Sequence, residues 1–155
     1  MIARTTRVAA ATVFAIAALA AFSPRGNHAV SQPTTMRAGI EAALARSVTG
    51  WNSGNLTDFM AVYLDADRTS YATKTAYIHG RAAIAARYTS DFAPGAARNT
   101  LRLERIEVDS LAPAVAEVMA FYVLTVHDST IGHGPTSLVM ERVGGTWYIV
   151  HDHSG

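Results

Sequence analysis

Two consecutive glycines, Gly144 and Gly145, separate two runs of alternating polar and apolar residues, Pro135 to Val143 and Thr146 to His153. A two-residue connection of this kind demands a tight antiparallel hairpin, because only residues that accept positive φ fit the turn that matches strand twist. The same alternation marks Leu101 to Asp109 and Val115 to His127, so the C-terminal half of the chain is expected to be four consecutive strands. Counting out from the glycines places Val143 opposite Thr146, Arg142 opposite Trp147, Met140 opposite Ile149, Leu138 opposite His151 and Thr136 opposite His153. Directly opposed residues share a face. One face therefore collects Leu138, Met140, Trp147, Ile149, His151 and His153, while Ser137, Val139, Glu141, Tyr148, Val150 and Asp152 take the other. The first set is the more apolar and is assigned to the interior, with two imidazoles at one end of its wall.

The N-terminal half has a different period. Met36, Ile40, Leu44, Val48 and Trp51 recur at three- and four-residue steps from Thr34 onward, which makes an amphipathic helix ended by Asn52-Ser53-Gly54-Asn55. Leu56, Phe59, Met60 and Tyr63 then suggest a short second helix that completes a helical hairpin. Thr69 to Ile78 reads as one or two short strands. Arg81 to Tyr88 reads as a helix by propensity, and Asp91 to Asn99, with Pro94 and Gly95, as a loop. Helices first and a strand meander last give an α+β domain with helices packed on one sheet face.

At 155 residues and 50% hydrophobic content, the chain holds one core. Arg4 and Arg7 precede an apolar run from Val8 to Phe22 in which Ala18-Leu19-Ala20 meets the small-x-small cleavage preference, so residues 1–22 read as a secretory signal and 23–33 as a linker. The run is shorter than the roughly 20 residues that span a bilayer, which favours a secreted or periplasmic product over an uncleaved anchor. There is no cysteine, so neither a disulfide nor a lipidated cysteine contributes. Removing the signal leaves eleven basic and twelve acidic side chains, nearly all the basic ones arginine, in a composition typical of GC-rich bacterial coding. No basic stripe remains to neutralise phosphates, which argues against a nucleic-acid partner.

Three stretches carry a resemblance to a known family: Trp51-Asn52-Ser53-Gly54-Asn55-Leu56-Thr57-Asp58-Phe59-Met60, His79-Gly80-Arg81-Ala82-Ala83-Ile84, and the terminal Trp147-Tyr148-Ile149-Val150-His151-Asp152-His153-Ser154. In order and spacing they resemble the nuclear transport factor 2-like superfamily, in its SnoaL-like and kinase II association-domain-like members, over residues 34–155. The resemblance implies a cystatin-like cone in which a curved antiparallel sheet wraps a long N-terminal helix around an apolar pocket, usually as a homodimer joined through the outer sheet face. It implies little about activity, since the scaffold hosts isomerases, dehydratases, cyclases and non-catalytic assembly domains. Aligned on the same turns, the pocket phenol, the base and the oxyanion-stabilising acid of the ketosteroid isomerase pattern fall at Ser47, Tyr71 and Leu138, and none of the three residue types matches. Leu138 is thereby placed at a pocket-facing position, and His151 across from it.

The candidate site follows. His151 is the expected proton carrier, since imidazole titrates near neutrality. Tyr71, at the base position, would donate a hydrogen bond to a ligand carbonyl or hydroxyl. Trp51, Tyr63, Tyr122, Leu138, Met140, Ile149 and His153 would form the pocket. The competing reading has one imidazole bonded to a carbonyl or carboxylate and the other frayed at the chain end. A metal held by His151, His153 and one of His127 or His133 is the weakest alternative, as zinc requires a third protein ligand. Asp65 and Asp67 read as a solvated helix end, and Arg142 as stacked on Trp147. No phosphate loop, nucleophile elbow or Ser/His/Asp arrangement is present. The expected protein is an exported, cofactor-free domain that binds a small apolar or mixed-polarity ligand, either as an acid-base isomerase or lyase or as a non-catalytic binding or assembly module.

Overall fold

The computed structural model describes residues 31–97 and 99–154; the export pattern and most of the expected linker lie outside them. Helix α1 spans Ser31–Ser53, beginning three residues ahead of the expected start at Thr34. Pro33 is tolerated there because a first-turn residue needs no N–H for the helix ladder. Met36, Ile40, Ala43, Leu44 and Ser47 form its buried stripe. Asn55 then caps α2, Leu56–Met60, by accepting from the Asp58 amide at 3.1 Å.

The hairpin between α1 and α2 closes tightly. Asn55 N–H reaches the Gly50 carbonyl at 2.9 Å, and the Ser47 hydroxyl donates to the Phe59 carbonyl at 3.0 Å. Both contacts require Gly50 to lie against the α2 backbone, where a Cβ would overlap the Phe59 amide and sit 2.6 Å from the Asp58 carbonyl carbon.

After the hairpin come β1 (Ser70–Ala72), β2 (Tyr77–His79), α3 (Arg81–Tyr88), β3 (Thr100–Ala112), β4 (Val115–Val126), β5 (Ser129–Val143) and β6 (Thr146–Ser154). They build one six-stranded sheet in the order β2-β1-β6-β5-β4-β3. The expected all-antiparallel sheet is corrected to a mixed one: β1 runs parallel to β6. The whole meander separates these two strands in sequence, so no hairpin forces them to be antiparallel. The β4–β5 turn is His127-Asp128, both with positive φ, and β5 starts at Ser129, six residues ahead of the expected Pro135.

The decisive correction concerns β6. From Val143 opposite Thr146 to Met140 opposite Ile149 the expected register holds, but the next pairs are Val139 with His151 and Leu138 with Asp152. Val150 is an extra residue, a β-bulge, and one inserted residue exchanges the two faces for everything beyond it. Asp152 and Ser154 thus share the inner face with Leu138 and Thr136, whereas His151 and His153 take the outer face. Just before the bulge, Ile149 is held on its other side by Val62 and Leu64, through bonds of 2.8 and 2.9 Å. Ser70 then takes over as the neighbour of His151.

The core lies between α1 and the inner sheet face, with Ile40, Ile84, Val118 and Met140 inaccessible to solvent. Burying each such side chain contributes about 1.5–3 kcal/mol. Because the obstacle at Gly50 is backbone rather than a movable side chain, Gly50→Ala is expected to destabilise the fold by about 1–3 kcal/mol in denaturant titration, against the modest gain that a helical Gly→Ala change otherwise brings.

Candidate functional site

A half-open cavity of about 340 Å³ lies between the helices and the inner sheet face. One wall is aromatic: Trp51, Phe59 and Tyr88 meet edge to face at centroid distances of 5.0 to 5.9 Å. The facing wall is aliphatic, from Leu101, Leu103, Leu124, Leu138 and Ile149. Trp51 is anchored by its indole N–H, which donates to the Asn99 side chain at 2.9 Å.

Of the residues expected at the pocket, Trp51, Tyr63, Tyr71, Tyr122, Leu138 and Ile149 line the cavity. Met140 is fully buried beneath the wall and does not reach it. His151 and His153 do not line it either. The Nδ1 of His151 instead pairs with the Ser70 hydroxyl at 2.8 Å on the outer face, the imidazole and Tyr77 ring centroids are 6.4 Å apart, and His153 is exposed. Among the described residues no three His, Asp or Glu side chains converge as a metal site. Asp65 makes an exposed ion pair with Arg81 at 2.7 Å, away from the cavity. Arg142 does lie over Trp147, at 5.9 Å.

The residue that sequence reasoning missed is Asp152. It is only 5% exposed, yet it lines the cavity. Tyr63 donates to its Oδ2 at 2.6 Å, and Ser154 and Thr136 donate to its Oδ1 at 2.6 and 3.4 Å. An ionised carboxylate offers about four acceptor positions, so three donors leave one for a ligand or a proton. Burial raises the Asp152 pKa above the ordinary carboxylate value, and the three hydroxyl donors offset this only in part. Asp152 and Ser154 have the same i, i+2 spacing as the two histidines. Nothing in the strand's own sequence distinguishes the pairs, since only the bulge decides which pair faces inward.

Three phenols surround this carboxyl. Burial, and then the Asp152 charge, raise the Tyr63 pKa well above its normal value. Burial likewise raises Tyr71 and Tyr88, whose rings lie 5.9 Å apart between centroids. All three remain neutral donors across the physiological range. The arrangement is a carboxyl with elevated proton affinity at the floor of an aromatic pocket, set among weakly acidic hydroxyls.

The matched family agrees with this architecture. The SnoaL-like domain family matches residues 40–154, and the chain belongs to it. No curated protein sequence matches the chain. Among solved structures, an NTF-2 like protein of unknown function from Shewanella oneidensis is 22% identical, with a TM-score of 0.70 over 76% of this chain and 97% of its own. A kinase type II association domain-like protein from Thiobacillus denitrificans is 26% identical, with a TM-score of 0.63 over 73% of this chain and 90% of its own. A scytalone dehydratase-like protein from Novosphingobium aromaticivorans is 12% identical, with a TM-score of 0.68 over 79% of this chain and 85% of its own. These likenesses define a nuclear transport factor 2-like, cystatin-like fold.

A raised folded-state pKa means that the native state holds the Asp152 proton more tightly than the unfolded chain does. Its contribution to stability is therefore complete below the ordinary aspartate pKa and is lost as pH rises through the raised value. Asp152→Asn, which cannot ionise, is expected to flatten that part of the stability-against-pH curve in thermal melts. Tyr63→Phe is expected to cost about 1–2 kcal/mol through the lost buried hydrogen bond.

Proposed function

We propose that this exported domain binds a small carbonyl or hydroxyl compound in its cavity and performs cofactor-independent acid-base chemistry on it, of isomerase or lyase type, with Asp152 as proton carrier. The observation that carries the reading is a buried carboxyl that lines the cavity and is held in place by Tyr63 and Ser154. Elevated proton affinity brings a carboxylate closer to the operating pH, where a general acid or base works best. The Tyr71 phenol lines the same cavity and, kept neutral by burial, can donate to a ligand oxygen on which charge develops. The scytalone dehydratase-like neighbour, which shares this fold, is named for loss of water, the lyase branch of this reading. His151, on the opposite face of β6, has no part in this proton transfer.

A panel of aromatic ketones and β-hydroxy ketones in deuterated buffer, followed by NMR, reads this chemistry as deuterium incorporation or loss of water. Asp152→Asn is expected to lower the rate at least about 100-fold, whereas His151→Ala leaves it within a few-fold. An Asp152→Asn variant with full activity, or a His151→Ala variant with none, would overturn the assignment.

The outer sheet face favours a second, compatible role in self-association. Cross-strand pairing aligns His79, Ser70, His151, Val139, Glu117 and Asp109 in one row, and Tyr77, Ala72, His153, Ser137, Met119 and Glu107 in the next. Histidines lie at one side and acids at the other, so a two-fold axis near β5 sets each protomer's histidines over its partner's acids. Sedimentation of the mature chain, recovered from the exported fraction with its mass showing loss of the N-terminal segment, is expected to give a dimer at micromolar concentration. A monomer there would contradict this role.

A further inference from the structure

Arg87 closes the last turn of α3, beside Tyr88, whose ring forms part of the cavity wall. Among the described residues lining the cavity it is the one cation. Its guanidinium carbon stands 5.9 Å from the Tyr88 ring centroid. The acid nearest to it, Asp91, is 3.9 Å away, at the limit of an ion pair, with the two side chains 53% and 41% exposed. An exposed pair four residues apart is weak, and at that distance it engages at most one of the five guanidinium donors. The planar fork of Arg87 is left available to a carboxylate, which it matches in two-point geometry.

The rest of the cavity constrains how such a ligand lies. Arg87 and Asp152 line the same cavity, whose aromatic wall of Trp51, Phe59 and Tyr88 and aliphatic wall of Leu101, Leu103 and Leu138 suit a flat ring system. A carboxylate placed against Asp152 would meet like charge and a nearly saturated acceptor, whereas at Arg87 it meets the opposite charge in partial contact with water, offset only in part by Asp91, which also lines the cavity.

We infer that the ligand is a ring compound with an anionic group, which Arg87 holds at the cavity mouth so that its uncharged oxygen function is presented to Asp152. Arg87 is on this account a specificity residue that orients the ligand, and the inference rests on the reading of the cavity as a ligand site.

Titration calorimetry with 2-naphthoate and its neutral analogue 2-naphthamide tests it. Wild-type protein is expected to bind the carboxylate about five-fold tighter than the amide, the upper range for an exposed ion pair. Arg87→Gln should abolish that preference and leave amide affinity unchanged. Asp91→Asn, by removing the competing acid, should enlarge it. Equal affinity for the two probes, or a preference that survives Arg87→Gln, overturns the inference while amide binding still upholds the ligand site. Failure of both probes to bind wild-type protein overturns the ligand site and the inference together.

Discussion

Val150, one residue more than the ladder between β5 and β6 can pair, sets the chemistry of the cavity. Strand side chains alternate, so the insertion turns an apolar wall ending in imidazoles into one ending in a carboxyl and a hydroxyl. The bulge lies where β6 passes between two sets of neighbours, with Val62 and Leu64 bonded to Ile149 before it and β1 paired beyond it. The cavity floor is therefore a consequence of how the helical hairpin and the meander meet along one strand.

The carboxyl placed there is costly to bury, and its surroundings show how the fold accommodates it. Tyr63 comes from the segment after α2, Thr136 from β5 and Ser154 from β6, so three separate stretches of chain supply its donors. Burial still dominates and leaves Asp152 with raised proton affinity. A surface aspartate would stay ionised and solvated, and a fully saturated one would have no lone pair for a ligand. The combination of burial, partial saturation and an adjoining cavity distinguishes this group from the exposed ion pairs elsewhere, such as Arg68 with Glu141 and Arg102 with Glu104.

Much of this was legible from residue order. Helical spacing from Met36 to Trp51 locates the buried stripe of α1, and Asn55 locates the start of α2. Helix α3 occupies Arg81 to Tyr88 as its propensity suggests. The position-by-position likeness to the isomerase pattern picked out Ser47, Tyr71 and Leu138, and all three line the cavity even though their chemistry differs. Periodicity records which residues repel water, and the helix stripe carries that information in each turn. Tyr88, Arg87 and Asn99 were not recognised as cavity residues, because their place there depends on how α3 and the following loop pack across the open end of the sheet.

The sequence by itself determined the order of elements, the Gly144-Gly145 turn, the apolar composition of the inner face and the scaffold family, because each is encoded in local spacing or backbone preference. Only the tertiary structure decided the parallel pairing of β1 with β6 and the parity of the last four residues of that strand. A bulge is a compromise among neighbours far apart in the chain, and a one-residue shift leaves the local pattern of Val150 to Ser154 unchanged while reversing which side chains meet the ligand cavity.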